Sequence, residues 1–329
     1  MDRPSNQATI LLSQSWWQSD TELSFVTRAT AGAASRLGPI TVLTPVRAGT
    51  TRPDGGFDVQ GVGFDPTTPW PRRAEIAWPD GMHPSCPIIL DQWGVGCDSL
   101  SGFLSSHGSP WVVLGEPVGD GGPTTPLPLI PTEDRAEADA LGVFVPVNPL
   151  AAAHRHNGLG FTGYLLVLGQ RVGVPRAEPP DPSVAWLTAR FPDAYVVVIE
   201  HAVATVWKGR SLRGAVSVAT RTDLWRLMAH ARVTIDLRPG EVIGRECIES
   251  LRFGTPIIAP ASSVGSAHAR AGGGLTYAQM PELLANVESL EDDRLRRHLS
   301  TAGKEYADRL FGDHARMTDR LGRQLFGLG

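Results

Sequence analysis

An α/β protein built from two doubly wound halves is the fold class this sequence predicts. Three observations carry that expectation. Short apolar runs without polar alternation recur along the chain, as in strands of a parallel sheet covered on both faces. Segments of helical spacing fall between many of them. The pattern then restarts near residue 150, in a chain of 329 residues, a length that suits two domains. At 42% hydrophobic and 19% charged residues, each half can bury a core.

The first half opens with a buried strand over 8–12 (ATILL). Residues 21–37 follow with apolar positions at Leu23, Val26, Ala29, Ala33 and Leu37, and Gly38 ends that helix. Strands are expected over 40–45, 57–64, 87–90 and 110–114. Residues 49–85 and 115–132, rich in Pro and Gly, read as irregular surface. The halves join around VPVNP (145–149). In the second half, strands are expected over 164–169, 194–199, 215–219, 233–237 and 256–260. Helices fit over 182–190, 222–230 and 244–253, and then over 281–310 and 313–326.

Composition narrows the function. A net charge of −4 gives no case for nucleic acid as partner. Only Lys208 and Lys304 among the 30 basic residues are lysines, a bias that fits a GC-rich, bacterial genome. Cys86, Cys97 and Cys247 form neither a disulfide framework nor a zinc-ribbon spacing. No charged-then-apolar leader opens the chain and no apolar run is long enough to span a bilayer, so a cytoplasmic protein is the expectation.

Several motifs fail on context. GLGFTG (158–163) matches a dinucleotide fingerprint, but its glycines precede a strand instead of following one and opening a helix. His154 and His156 have no third ligand nearby, and zinc takes three or four. No D-x-D triplet, G-x-S-x-G elbow or P-loop occurs. No metal site is expected.

RPGEVIGRECIESLRFGTPIIAP (238–260) is different. It reads as a turn at the carboxyl end of strand VTIDL, a short helix, and the next strand. Ligands of open α/β sheets bind at that edge. With a helix starting near Val242, Glu249 lies about two turns in and Glu241 just ahead of the first turn. The N–H groups of Ile243 and Gly244 would point outward toward phosphate or sugar oxygens. The two carboxylates would accept hydroxyl hydrogen bonds. The same spacing also suits Glu241 as a cap and Glu249 on a solvated face. LVLGQRVGVPR adds Arg171 and Arg176 past a strand end of the same half, where two guanidiniums suit a diphosphate.

Together these residues resemble the nucleotide-binding half of the retaining GT-B glycosyltransferases of the family-four type. That family carries Glu, seven residues, Glu, with glycine three after the first acid; here Glu241, Gly244 and Glu249. It then runs small residue, Gly, x, Pro and an apolar strand, as in ESLRFGTPIIAP. Its phosphate-binding Arg, four residues, Lys corresponds to Arg171 and Arg176, with arginine in the lysine place. GGGLTY (272–277) and FGDHARMTDRLGRQLF resemble its later glycine segment and last helix. The likeness covers residues 160–329; residues 1–150 match only in strand-and-helix order.

The resemblance implies two Rossmann-like domains facing each other across a cleft: an acceptor-side domain over 1–150, a nucleotide-sugar domain over 151–310, and a helix over 311–329 returning to the first. It implies sugar transfer from a nucleoside diphosphate, UDP- or GDP-linked, with retention, no metal and no cofactor beyond that co-substrate. Glu249 would hold the ribose, Glu241 the donor sugar, Arg171 and Arg176 the leaving diphosphate, and backbone groups of Val242, Ile243 and Gly244 sugar or phosphate. The acceptor would be a glycan, lipid or small molecule. Relatives that glycosylate lipids leave room for a membrane-facing role, though the sequence holds no strongly basic amphipathic helix. The family's glycine loop after the first strand is replaced by SQSWWQSD, where Trp16 and Trp17 stack on an acceptor or cover the cleft. Gln92 and Glu116 stand where the family places donor-sugar contacts. A catalytically silent GT-B partner protein and a nucleotide-sugar epimerase are the alternatives.

Overall fold

The structure is a computed structural model, and it describes residues 9–12, 22–45, 51–54, 57–62, 88–91, 111–114, 125–127, 129–131, 140–150, 158–169, 182–200, 202–238 and 242–326. The chain divides into two compact units, Met1–Phe144 with Asp313–Gly329, and Val145–Gly312.

In the first unit the elements run β1 (Thr9–Leu12), α1 (Glu22–Ala34), β2 (Ile40–Pro45), β3 (Thr51–Asp54), β4 (Phe57–Val62), β5 (Ile88–Asp91), β6 (Trp111–Leu114) and β7 (Thr125–Leu127). They form a sheet of order β3-β4-β2-β1-β5-β6-β7. Every pairing is parallel except the β3–β4 hairpin. Both β3 and β7 fall in stretches whose Pro and Gly content reads as irregular. Helix α1 buries Val26, Ala31 and Ala33, and the Thr30 hydroxyl donates to the Val26 carbonyl, which satisfies a polar group inside that face. The chain's last helix, numbered α8 below, closes this unit.

The second unit carries β8 (Tyr164–Leu168), α2 (Pro182–Arg190), β9 (Tyr195–Glu200), β10 (Val203–Lys208), β11 (Ser211–Ser217), α3 (Arg221–His230), β12 (Ala231–Asp236), α4 (Arg245–Arg252), β13 (Ile257–Pro260), α5 (Gly265–His268), a π-turn (Ala269–Gly273), β14 (Gly274–Tyr277), α6 (Met280–Ser289) and α7 (Asp293–Phe311). Helix α8 (His314–Phe326) follows and belongs to the first unit. The sheet order is β11-β10-β9-β8-β12-β13-β14. Strands β9, β8, β12, β13 and β14 are parallel. Strands β10 and β11 are antiparallel, so the sheet is mixed and not wholly parallel as expected.

Strand β8 shows why its sequence is apolar without alternation. Leu165 and Val167 face a core with Val184 and Leu187 of α2 and with Leu283 of α6. Tyr164, Leu166 and Leu168 face the other core with Leu224 and Leu227 of α3. Period-two side chains thus meet helices on both faces.

Strands β10 and β14 were not expected, β11 lies earlier than the expected 215–219, and two helices differ from the sequence reading. The segment over 281–310 is two helices, because Asp292 starts a new one by accepting from the Arg294 N–H. Helix α4 begins at Arg245, after Gly244 at φ 62°, rather than near Val242. Its far end is set by Gly254 at φ 77°, with Thr255 N–H bonding Ser250 C=O at 3.0 Å, a closure that needs a left-handed residue.

Candidate active site

Strand order in the second unit reverses direction between β8 and β12, which run side by side with Leu168 opposite Asp236. A doubly wound sheet opens a crevice at the carboxyl ends of such a pair. Leu237 and Arg238 leave β12 at that point, and the turn and helix over 242–252 follow in sequence.

Helix α4 brings Glu246 and Glu249 there. Helix α4 follows a left-handed glycine, and its first two turns bring both acids to Arg221 of α3. Glu249 is 0% exposed, so it does not lie on a solvated face. Its Oε1 accepts from Arg221 Nε at 2.9 Å and from Arg245 Nε at 3.0 Å, and its Oε2 lies 2.6 Å from Arg221 Nη2. Glu246 accepts from Arg221 Nη1 at 2.5 Å and from Arg238 Nη1 at 3.2 Å. Arg238 Nε donates to Asp236 Oδ1 at 2.8 Å, and the Cys247 thiol meets Asp236 Oδ2 at 3.4 Å. Three arginines and three carboxylates alternate across α3, α4 and the end of β12.

Charge and burial compete in this chain. Burial alone would raise Glu246, but Arg221 and Arg238 outweigh it and hold its carboxyl down at about 2. Burial pushes Glu249 above the usual carboxylate range, against the pull of Arg221. Burial works against the Arg221 cation too, yet Glu246 and Glu249 leave its pKa raised. Arg245 is lowered by burial. Each of these groups has a partner of opposite sign, which offsets part of the cost of its burial.

Beneath α4, Ser250 Oγ donates to Thr234 Oγ1 at 2.8 Å, and Thr255 Oγ1 donates to the Met228 carbonyl at 2.7 Å. These bonds fix α4 to β12 and α3. Ile243 is fully buried, Gly244 is buried and Val242 is partly so. Thus four residues expected at the site, Val242, Ile243, Gly244 and Glu249, lie on one turn and helix. Glu241, Arg171, Arg176, Trp16, Trp17, Gln92 and Glu116 lie outside the described residues, as do His154 and His156.

Sequence reasoning missed Arg221, Arg238, Arg245 and Glu246. The i,i+4 spacing of Arg245 and Glu249 is a visible signal. Arg221, 28 residues before Glu249, has none. Among the described residues no group of three His, Cys, Asp or Glu is arranged to hold a metal ion. No helix among them is long and apolar enough to cross a membrane.

No protein-family model and no curated protein matches the chain. Solved structures do. Sucrose-phosphate synthase from Thermosynechococcus elongatus aligns at a TM-score of 0.61 and 14% identity, over 98% of this chain and 100% of that one. HepE of Anabaena in complex with UDP-glucose aligns at 0.58 and 12% identity, over 98% and 100%. The glycotransferase of kitacinnamycin aligns at 0.59 and 14% identity, again over 98% and 100%. At this identity the likeness establishes the fold: α/β, of the GT-B type with Rossmann-like halves.

Proposed function

We propose that the chain is a glycosyltransferase that moves a sugar from a nucleoside-diphosphate sugar, UDP- or GDP-linked, to a hydroxyl-bearing acceptor. Retention at the anomeric carbon and independence from metal belong to the same proposal. The observation that carries it is the strand-order reversal at β8 and β12, with Glu249 of α4 and the end of β12 joined there by one ion-pair chain, since doubly wound sheets take ligands at such an edge. HepE, with the same fold, holds UDP-glucose in its structure.

In this reading the bond from the anomeric carbon to the diphosphate oxygen breaks, and the acceptor oxygen bonds to that carbon from the same face. The acceptor's proton passes to the leaving phosphate oxygen. Negative charge grows on the diphosphate, and Arg171 and Arg176 stabilise it as preorganised cations. Glu241 holds donor-sugar hydroxyls. Glu249 belongs to the ribose side, and the Val242–Gly244 turn meets phosphate or sugar. Two guanidiniums on the leaving group do the work a metal would otherwise do.

A thermal-shift panel with UDP, GDP, ADP and TDP, each also as a sugar conjugate, tests this. A ligand at a hundred times its dissociation constant adds about 2.7 kcal/mol. One nucleotide should raise Tm clearly. No shift with any of them, in a folded protein, moves the silent-partner reading ahead; turnover of the donor without an acceptor indicates an epimerase. Glu241→Ala should leave nucleotide affinity in place and abolish transfer. A variant that transfers at full rate removes Glu241 from the mechanism.

A further inference from the structure

The turn ahead of α4 is held by a residue outside the acid motif. His268, the last residue of α5, is 0% exposed. Its Nε2 lies 2.6 Å from the Ile243 carbonyl oxygen and its Nδ1 2.9 Å from the Tyr306 hydroxyl. A carbonyl oxygen only accepts, so Nε2 carries the hydrogen. A neutral ring then has an acceptor at Nδ1, and Tyr306 donates to it. Tyr306 and Phe311 of α7 pack on the ring at centroid distances of 5.9 and 5.6 Å. Burial pushes His268 down to about 4, so one tautomer persists through the neutral range.

The backbone is shaped around this ring. Gly244 adopts φ 62°, and a Cβ there would sit 3.2 Å from His268 Cδ2 and 3.3 Å from Nε2. On the other side, a Cβ at Gly303 would sit 2.7 Å from Gly273 Cα. Two glycines therefore let α7 close on the π-turn, which brings Tyr306, one turn further along, to His268. Few side chains donate to a carbonyl in one direction and accept from a phenol in another while neutral and buried; a rigid imidazole does both.

We infer that His268, oriented by Tyr306, is a positioning residue for the Val242–Gly244 turn of the donor site, holding the Ile243 carbonyl inward and so fixing the peptide planes that phosphate or sugar oxygens of the donor meet. The inference rests on the nucleotide-sugar reading above. It couples the donor edge of β12 to the buried face of α7 through a single ring.

The test uses the full chain and the variants Tyr306→Phe, His268→Gln and His268→Phe. Tyr306→Phe removes one hydroxyl and keeps the packing, so it reports even where a His268 variant fails to fold. Hydrogen exchange over residues 242–248 should rise about tenfold in Tyr306→Phe, the size of one lost hydrogen bond, with α2 and α6 unchanged. It should rise further in His268→Phe. His268→Gln, which keeps a donor near the Nε2 position, should restore most of the protection. Long-range proton–nitrogen spectra of the wild type should show a neutral Nε2–H ring from pH 8 to about 5. For whichever of UDP, GDP, ADP or TDP raises the wild-type Tm, affinity should fall about tenfold in Tyr306→Phe. A charged ring, an Nδ1–H tautomer, unchanged exchange, or Gln behaving as Phe overturns the tether. If the wild type binds a nucleotide and the variants bind it equally well with a loosened turn, the positioning role alone falls. If the wild type binds none of the four, the proposed function falls and the positioning role falls with it.

Discussion

At the scale of single residues, Glu249 and His268 show opposite uses of burial. Glu249 is a buried carboxyl held by two guanidiniums, and burial still pushes its pKa up. Glu249→Ala removes one of the two carboxylates that hold Arg221 and the i,i+4 partner of Arg245, and should destabilise the second unit by about 3 kcal/mol. Glu249→Gln keeps volume and an acceptor and should cost less. Urea denaturation measures that loss. Calorimetric titration, where both proteins are folded, measures nucleotide affinity, which the ribose role requires to drop in Glu249→Ala; equal affinity would end that assignment. His268 is instead a group kept neutral. Its ordinary pKa is 6.5 and its folded value about 4, with the Asp236 charge facing it and the Tyr306 hydroxyl on its other nitrogen. Between those values the unfolded chain binds the proton and the folded chain does not. Stability from this group is therefore complete above about pH 6.5 and is lost as pH falls toward 4, a loss of roughly 3 kcal/mol. Denaturation midpoints across that window should slope less in His268→Gln than in the wild type. Parallel slopes would show that the ring is already charged or solvated.

At the scale of elements, the strands were the legible part. YLLVL and YVVVI are buried on both faces, and such runs announce themselves without any partner in view. Strand β10 and the β9–β10 reversal were not legible, because a strand's direction depends on which neighbour it pairs with; only the pairing of Val203 with Glu200 reveals the tight reversal. Helix α4 was placed by its glycines but started three residues early: Gly244 takes a left-handed φ and lies against the His268 ring of α5, a contact that spacing along the chain does not show. Glu249 was visible through its spacing from Glu241. Its partner Arg221 was not, because it reaches Glu249 from α3, and neither was Glu246, which Arg221 and Arg238 hold from α3 and the end of β12. The α7–π-turn approach gives a sharp prediction. A Cβ at Gly303 would stand 2.7 Å from Gly273 Cα and 2.8 Å from Leu251 Cδ2. Backbone must move, so Gly303→Ala should cost about 2 kcal/mol despite alanine's better helix propensity. Thermal denaturation decides it: a variant as stable as the wild type means that α7 and the π-turn are not in contact.

At the scale of the whole molecule, the chain's end matters because it returns. Residues Asp313–Gly329 belong to the same unit as Met1–Phe144. Within that unit Met317, Leu321 and Leu325 of α8 are buried, and α8 packs against α1. The Met317 sulfur accepts from the Phe144 N–H at 3.3 Å, and the buried Arg320 donates to the Ala140 carbonyl. The His314 ring lies 5.3 Å from Phe144. Val145–Gly312, by contrast, holds both faces of its own sheet with α2, α3 and α6 and contains the acid network complete. Ending the chain at Gly312 should therefore act on one unit and spare the other. It exposes apolar surface around Phe144 and α1 and leaves the Ala140 carbonyl without its buried donor, a combined loss on the order of several kcal/mol. Calorimetry of the truncated chain should show a lower transition for the first unit and an unmoved one for the second, with the nucleotide-induced shift retained on the second. If both transitions fall together, the acid network depends on α8, and the donor site cannot be assigned to the second unit alone.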